Sequence, residues 1–356
     1  MTPREQVERV LRGGKAEYVP FTAYENKTTP CDAERWLRNN GMCVVYRVDS
    51  LKTASPNVKV RISEFEEYGT RKMLVEYETP AGKLTKKSQY QVLDTATGAL
   101  WHEDEKLWKS KEDYKSIAAL IRDREYAPAY DAVIKKQKFL GDGFIVRDGC
   151  SCDPIHELMI TYMGIENFIM EWNDNRDEVL KLYGLLVEDG RKRYKLAAGS
   201  PTVMTNVGGN IVFDLLGPEI VEKYMLPNFL EAKEEFKKTG KLMGAHMDAN
   251  NKLLIDFISR SGLDVVEAFT PSPGTDMTLR EGFDAWPDKI IWANFPSAVH
   301  LRPDNEVEST AERLLAEAGA DKGRLIMGIT EDVPNGRWPA TFRVILEACR
   351  KYGKIV

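Results

Sequence analysis

Eight short β-rich runs separated by helical patterns constrain this chain of 356 residues more than any other feature. They are Val19–Ala23, Met42–Tyr46, Phe144–Arg147, Thr202–Thr205, Leu242–Ala245, Leu263–Val266, Ile290–Ala293 and Leu325–Gly328. Strands that alternate with helices form parallel sheets, because each crossover helix returns the chain to the same end of the sheet. Eight such units at this length predict an α/β chain folded as a closed (β/α)8 barrel, the TIM-barrel topology. An open doubly wound sheet is the alternative, but no glycine-rich dinucleotide fingerprint follows an early strand.

The helix signals agree with that reading. Thr2 reads as an N-cap with Pro3 in the first turn and Glu5 three residues after the cap, and Gly13-Gly14 stops the helix. Later helices are expected at Asp177–Ala198, Glu219–Lys238, Val307–Ala318 and Phe342–Tyr352, with a break near Leu226 because Pro227 follows it. One stretch interrupts the alternation. Between the second and third runs lie about a hundred residues, far more than a βα unit needs. Within it, Val58, Val60 and Ile62 alternate with polar residues, as do Met73, Val75 and Tyr77, and Thr79-Pro80-Ala81-Gly82 is a turn signal. An antiparallel insert at about 50–140, ending in helices at Lys111–Ile121 and Ala129–Lys138, is therefore expected inside one domain spanning 1–356. It would cap the catalytic face or serve as a packing or homodimerisation hairpin.

Charge and composition exclude several classes. Fifty Lys and Arg against 55 Asp and Glu leave a net −5, without the basic excess of a nucleic-acid binder. No apolar run approaches the ~20 residues of a membrane span. The opening residues read as a charged amphipathic helix rather than a leader. Five scattered cysteines fit free thiols in a reducing, cytoplasmic setting.

In a barrel, chemistry sits where strands end. The fifth run ends in His246-Met247-Asp248, the sixth stops at Glu267 and the eighth at Thr330-Glu331-Asp332. Asn206, Asn294 and Asp148 follow the fourth, seventh and third runs, and Tyr24 and Glu25 follow the first. His246, Asp248 and Glu267 come from neighbouring strands and Glu331 from further round the rim. One imidazole and two or three carboxylates make a zinc site with an open position. Asp248 reads equally as the N-cap of a following helix. Glu267, directly after Leu263-Asp264-Val265-Val266, needs a cation or several donors. Cys150-Ser151-Cys152 with His156 has soft-metal character, but the spacing is short for zinc, so pocket or packing cysteines are the expectation. His102 and His300 read as surface or loop residues.

The residues then show a resemblance. Arg4-Glu5-Gln6-Val7, Val10-Leu11-Arg12-Gly13, Val19-Pro20-Phe21, Thr79-Pro80-Ala81-Gly82, Gly244-Ala245-His246-Met247-Asp248 and Val266-Glu267-Ala268-Phe269-Thr270-Pro271 resemble the uroporphyrinogen decarboxylase superfamily from end to end. The decarboxylases themselves carry an arginine-rich signature where this chain has Thr22-Ala23-Tyr24-Glu25-Asn26-Lys27, and Glu25 would repel porphyrinogen carboxylates. The other branch, the zinc-dependent corrinoid-linked methyltransferases, holds zinc with a His-x-Cys pair, a later Cys and a Glu between them. His246 and Glu267 match that pattern, with Asp248 at the first Cys and Thr330 or Glu331 near the second.

The resemblance thus implies a zinc-dependent methyltransferase acting with a corrinoid-bearing partner protein. Oxygen ligands in place of thiolates leave zinc a harder Lewis acid, which suits an ether oxygen rather than a thiol. The expected reaction is the first half of an O-demethylation, with Tyr24, Asn206, His246 and Glu267 catalytic. His246, Glu267, Glu331 and Asp248 would serve the metal, and Glu25, Asp148, Cys150, Asn294 and Phe269 a small methylated, methoxyaromatic substrate. A cofactor-free carboxy-lyase of the same fold is the alternative.

Overall fold

In a computed structural model, which describes residues 1–90, 101–150, 153–334 and 336–355, the eight expected runs become one closed parallel barrel. Its strands are β1 (Phe21–Tyr24), β2 (Met42–Val48), β3 (Phe144–Gly149), β4 (Met204–Gly209), β5 (Leu242–His246), β6 (Val265–Phe269), β7 (Ile290–Asn294) and β8 (Leu325–Ile329). Neighbours pair in sequence order, and β1 closes the ring by pairing with both β2 and β8. The opening helix, Pro3–Leu11, has the anticipated capping box between Thr2 and Glu5. Pro227 lies in the first turn of the helix Leu226–Lys237, and a π-helical turn, Val221–Met225, separates it from the helix Phe213–Ile220, so the expected break is present.

Several strands run beyond their expected ends, and the reason is chemical. Asn206 and Glu267 read as polar terminators, yet both point into the barrel and bond to each other, so pairing continues past them. Period-two alternation fills the interior. Cys43, Val45, Ile145, Met204, Val265, Trp292 and Ile326 form its apolar layers, and Tyr24 closes them toward the strand ends. The Trp292 indole donates to Thr22 Oγ1 at 2.9 Å, which satisfies its one polar atom inside the core.

The described chain divides into two compact units, one of them the barrel with residues 1–50, 129–151 and 197–356. The other comprises residues 51–128 and 152–196. Its four-stranded antiparallel sheet runs in the order Lys59–Glu67, Thr70–Thr79, Gly82–Tyr90 and Trp101–Glu105, with the anticipated turn at Thr79–Gly82. A buried ion network joins its helical part: Arg124 Nη1 lies 2.6 Å from Glu157 and 3.2 Å from Asp189, and Arg193 reaches both carboxylates at 3.3 Å. Burial opposes the Glu157 charge, but the two guanidiniums outweigh it and lower its pKa. Among the described residues, no helix is long and apolar enough to cross a membrane.

Two histidines are structural. His300, expected at the surface, is instead fully buried, with Nδ1 2.8 Å from Thr341 Oγ1 and its ring edge-on to Phe295. His156 lies in a short helix, Pro154–His156, whose N-cap Asp153 accepts from the Ile155 N–H at 2.9 Å, and neither of its ring nitrogens has a hydrogen-bond partner among the described residues. Burial pushes the pKa of each imidazole down to about 4.

The unfolded chain protonates these rings near pH 6.5 and the folded chain only near pH 4, so their neutral burial stabilises fully above pH 6.5 and loses that contribution as pH falls to 4. Each shift corresponds to about 3 kcal/mol at most. Urea midpoints are expected to fall steeply between pH 6.5 and 4, and His300→Gln to make that fall shallower. An unchanged slope in the variant would contradict the assignment.

Candidate functional site

The strand ends converge on one carboxylate. Glu267 points inward from β6 and is fully buried. Its Oε2 accepts from Asn206 Nδ2 of β4 and faces His246 Nδ1 of β5, each at 2.9 Å. Its Oε1 accepts from the Tyr24 hydroxyl of β1 and lies 3.9 Å from Arg147 Nη2 of β3. Arg147 Nη2 also donates to Tyr24 Oη at 3.0 Å. Four strands therefore contribute partners to one side chain. Burial penalises its charge, but Arg147, His246 and Tyr24 together hold the pKa at about 2. The same contacts act in reverse on Tyr24, where burial and then Glu267 push the hydroxyl pKa up.

Local backbone features make this crowding feasible. The β6–β7 register slips between Glu267 and Phe269, and the extra residue, Ala268, adopts φ 60°. That bulge in a left-handed conformation lets Glu267 and Phe269 face different surroundings. Gly244 supplies space on β5: a Cβ there would lie 2.6 Å from Asn206 Oδ1 and 2.5 Å from Met204 Cε.

His246 uses its two nitrogens differently. Nδ1 faces Glu267, whereas Nε2 lies 3.4 Å from Asp248 Oδ2 and 3.9 Å from Glu331 Oε1. Donor atoms of His246, Asp248 and Glu331 all lie within 4.8 Å of one another. Burial disfavours the imidazolium, but Glu267 first, then Asp248 and Glu331, raise the His246 pKa. This set of one imidazole and two carboxylates has the chemistry of a zinc site with a fourth position open. Glu267, anticipated among the ligands, lies outside this set of three and faces the other ring nitrogen, Nδ1, at 2.9 Å. That is where a carboxylate fixes the tautomer of a ligating ring.

The remaining residues divide between rim and scaffold. Asn294 is a rim organiser: its Oδ1 accepts from the backbone N–H groups of Thr330 at 2.9 Å and Glu331 at 3.4 Å, and its Nδ2 donates to Thr270 Oγ1 at 3.0 Å. Glu25 pairs with Arg47, whose Nε is 3.1 Å from Oε1. The repulsion of substrate carboxylates expected from Glu25 is therefore neutralised within the chain. Arg47 also stacks 4.3 Å above the Tyr24 ring.

Asp148 lies away from this cluster. It accepts from Thr202 at 2.9 Å and Thr205 at 2.6 Å, near Lys241, whose pKa burial lowers to about 8 against the opposing pull of Asp148. Phe269 is fully buried and packs edge-on against Trp286 at 5.7 Å. Cys150 is buried, and its N–H donates to the Asn206 carbonyl at 2.8 Å. Ser151 and Cys152 lie outside the described residues. The capping role open to Asp248 falls to Asp276, which accepts from the N–H of Asn251 at 3.0 Å.

Arg147 was not among the expected site residues. Counting the strand period from Ile145 points it inward, toward a carboxylate needing a cation.

Fold and site together define a (β/α)8 barrel with a buried, charge-compensated cluster at the C-terminal ends of its strands. No family model matches the sequence, and no curated protein matches it. Among solved structures, a methyltransferase from Methanosarcina mazei is similar over 99% of this chain and 99% of its own, with a TM-score of 0.59 and 8% identity. A GH5-4 broad-specificity endoglucanase from an uncultured bacterium covers 91% of this chain and 85% of its own at a TM-score of 0.40 and 10% identity. At these identities the first likeness establishes the barrel and the second carries no weight.

Removing Glu267 would leave Arg147 without its countercharge in a dry interior, which typically costs about 3–5 kcal/mol. Glu267→Ala is expected to lower the thermal midpoint markedly. Arg147→Met in the same chain should recover part of the loss, because the two effects are coupled. Additive losses in the double variant would show that the pair is not a unit.

Proposed function

We propose that this protein is a zinc-dependent methyltransferase that takes a methyl group from an O-methylated substrate. The acceptor is the Co(I) corrinoid of a partner protein, as in the first half of an O-demethylation. The observation that carries the reading is the two-sided arrangement of His246, with Glu267 on one nitrogen and Asp248 and Glu331 on the other. The sequence resemblance and the fold shared with a protein named as a methyltransferase support it.

His246 Nε2, Asp248 and Glu331 would hold the ion. When bound there, zinc supplies a Lewis acid that favours departure of the ether oxygen with its bonding electron pair. In the overall transfer the methyl carbon–oxygen bond breaks, a carbon–cobalt bond forms on the partner's corrinoid, and the freed oxygen takes up a proton to become a phenol or alcohol. Within this chain, Glu267 accepts from His246 Nδ1 and keeps Nε2 turned toward the two rim carboxylates. Asn206, Tyr24 and Arg147 are positioning residues, since each acts on Glu267. Asn294 positions Glu331 through the backbone of its turn. An aromatic ether is the preferred substrate class, with the half-exposed Arg47 guanidinium, held over the buried Tyr24 ring, beside the cluster.

A second reading, a metal-free carboxy-lyase, gains from Arg147, whose Nε is buried without a partner among the described residues, and from the pairing of Glu25 by Arg47. Metal content separates the two. Protein purified without chelator is expected to carry about one zinc per chain, the stoichiometry of a single three-ligand site. His246→Ala, Asp248→Asn and Glu331→Gln should each lose most of it with the fold retained. Glu267→Gln should weaken metal affinity by roughly 10- to 100-fold, as loss of an outer-shell partner does. Metal-free protein with unaltered variants would refute the zinc reading.

Activity is tested separately, by incubating metal-loaded protein with methoxylated aromatics and cob(I)alamin and following the cobalt absorbance. Methylation of the corrinoid and release of a phenol are expected. Carbon dioxide release from a carboxylated substrate, without methyl transfer, would favour the lyase.

A further inference from the structure

Of the three groups around His246 Nε2, Glu331 is the most exposed. It lies two residues beyond the end of β8, on a turn rather than a strand, and its side chain is 41% exposed. A long acidic side chain on a turn loses rotamer and backbone freedom when it is ordered. A ligand in such a place binds an ion well only where its turn is held in advance.

The turn is held on both sides of Glu331. Before it, Asn294 at the end of β7 accepts from the backbone N–H groups of Thr330 and Glu331. After it, Asp332 Oδ1 lies 2.6 Å from Lys27 Nζ. The Lys27 side chain is only 9% exposed, so its stem is packed and its ammonium is directed at one place on the rim.

Barrel closure sets the position of Lys27. β1 pairs with both β2 and β8, so the short turn Glu25–Lys27 that follows it lies between the ends of those two strands. Toward β2, Arg47 fixes the turn: its Nε donates to Glu25 Oε1 at 3.1 Å and its Nη2 to Asn26 Oδ1 at 3.0 Å. Toward β8, Lys27 reaches Asp332. The two strands that flank β8 thus supply one anchor each, Asn294 from β7 and Lys27 from the turn after β1, with Glu331 between them. The same segment also acts on the far side of the histidine, because the Tyr24 hydroxyl donates to Glu267, which faces Nδ1. Tyr24 and Lys27, three residues apart, therefore serve the ring and the rim together.

We infer that Lys27 and Asp332 are positioning residues for Glu331: their ion pair fixes the turn so that the Glu331 carboxylate stands beside His246 Nε2, ready for a divalent ion. This rests on the metal reading of the site and goes beyond it, by assigning part of the ion affinity to a pair outside the three-ligand set. A salt bridge that merely joined two loops would leave that affinity alone.

Zinc affinity of the full-length, metal-free chain, measured by competition with a chromophoric chelator, separates the two. Lys27→Met and Asp332→Asn are each expected to weaken zinc binding by about tenfold, the lower end for loss of a group behind a ligand. Met fills the space of the lysine stem and Asp332 stays half in water, so the thermal midpoint of the metal-free protein should change little. Lys27→Arg, which keeps the charge, should bind zinc nearly as the parent chain does. Acting through Glu331, Lys27→Met should weaken binding no further once Glu331→Gln is present. With cobalt(II) in place of zinc, the visible band of Lys27→Met should move toward that of Glu331→Gln. A parent chain that binds zinc while Lys27→Met binds it equally well would overturn the positioning role and leave the metal reading standing. Equal losses with and without the Glu331 carboxylate would overturn the role too. A parent chain that binds no zinc would overturn the metal reading and this inference with it.

Discussion

A single buried carboxylate organises the mouth of this barrel. An isolated ionised group at that depth would be prohibitively costly, so the strands must supply compensation. They do so from four directions: the Tyr24 hydroxyl, the Asn206 amide, the His246 imidazole and the Arg147 guanidinium all meet Glu267. Each partner comes from a different strand, so the contacts that stabilise the charge also fix the relative heights of β1, β3, β4 and β5. Architecture and chemistry are not separable here, because a shift in any of these strands moves the ring nitrogen on which the rim carboxylates converge.

Much of this was legible in the sequence because it follows from periodicity. The eight strands, the capped first helix, the break before Pro227 and the antiparallel hairpin at Thr79–Gly82 all rest on local patterns, and local patterns survive folding. What escaped depends on partners distant in the chain. Asn206 and Glu267 look like terminators when each is read alone, yet the bond between them lets both strands continue. His300 looks like a loop residue until Thr341 and Phe295 enclose it. Asp148 and Phe269 lie close in sequence to the strand ends but turn to hydroxyls and to Trp286. Strand-end position gives the height of a residue in the barrel, and parity gives its side; a bulge such as that at Ala268 resets the parity.

The two units solve the problem of sheet edges differently. Closing eight parallel strands into a ring leaves the barrel without an edge, and the charge of its buried Glu267 is met from within by Tyr24, Asn206, His246 and Arg147. The antiparallel sheet stays open, with Lys59–Glu67 and Trp101–Glu105 as its outer strands among the described residues. The first arrangement isolates a site from its surroundings, whereas the second presents a surface to them.

The three groups around His246 Nε2 differ in how they are anchored. The histidine belongs to a barrel strand and is buttressed from behind, but Asp248 and Glu331 sit on turns, the latter tethered through the side chain of Asn294. Descent with modification could therefore exchange either acid for a softer or harder donor without disturbing the scaffold. Under the proposed function, a barrel built this way can change its preference among leaving atoms by rewriting two loop codons while the ring behind them stays constant.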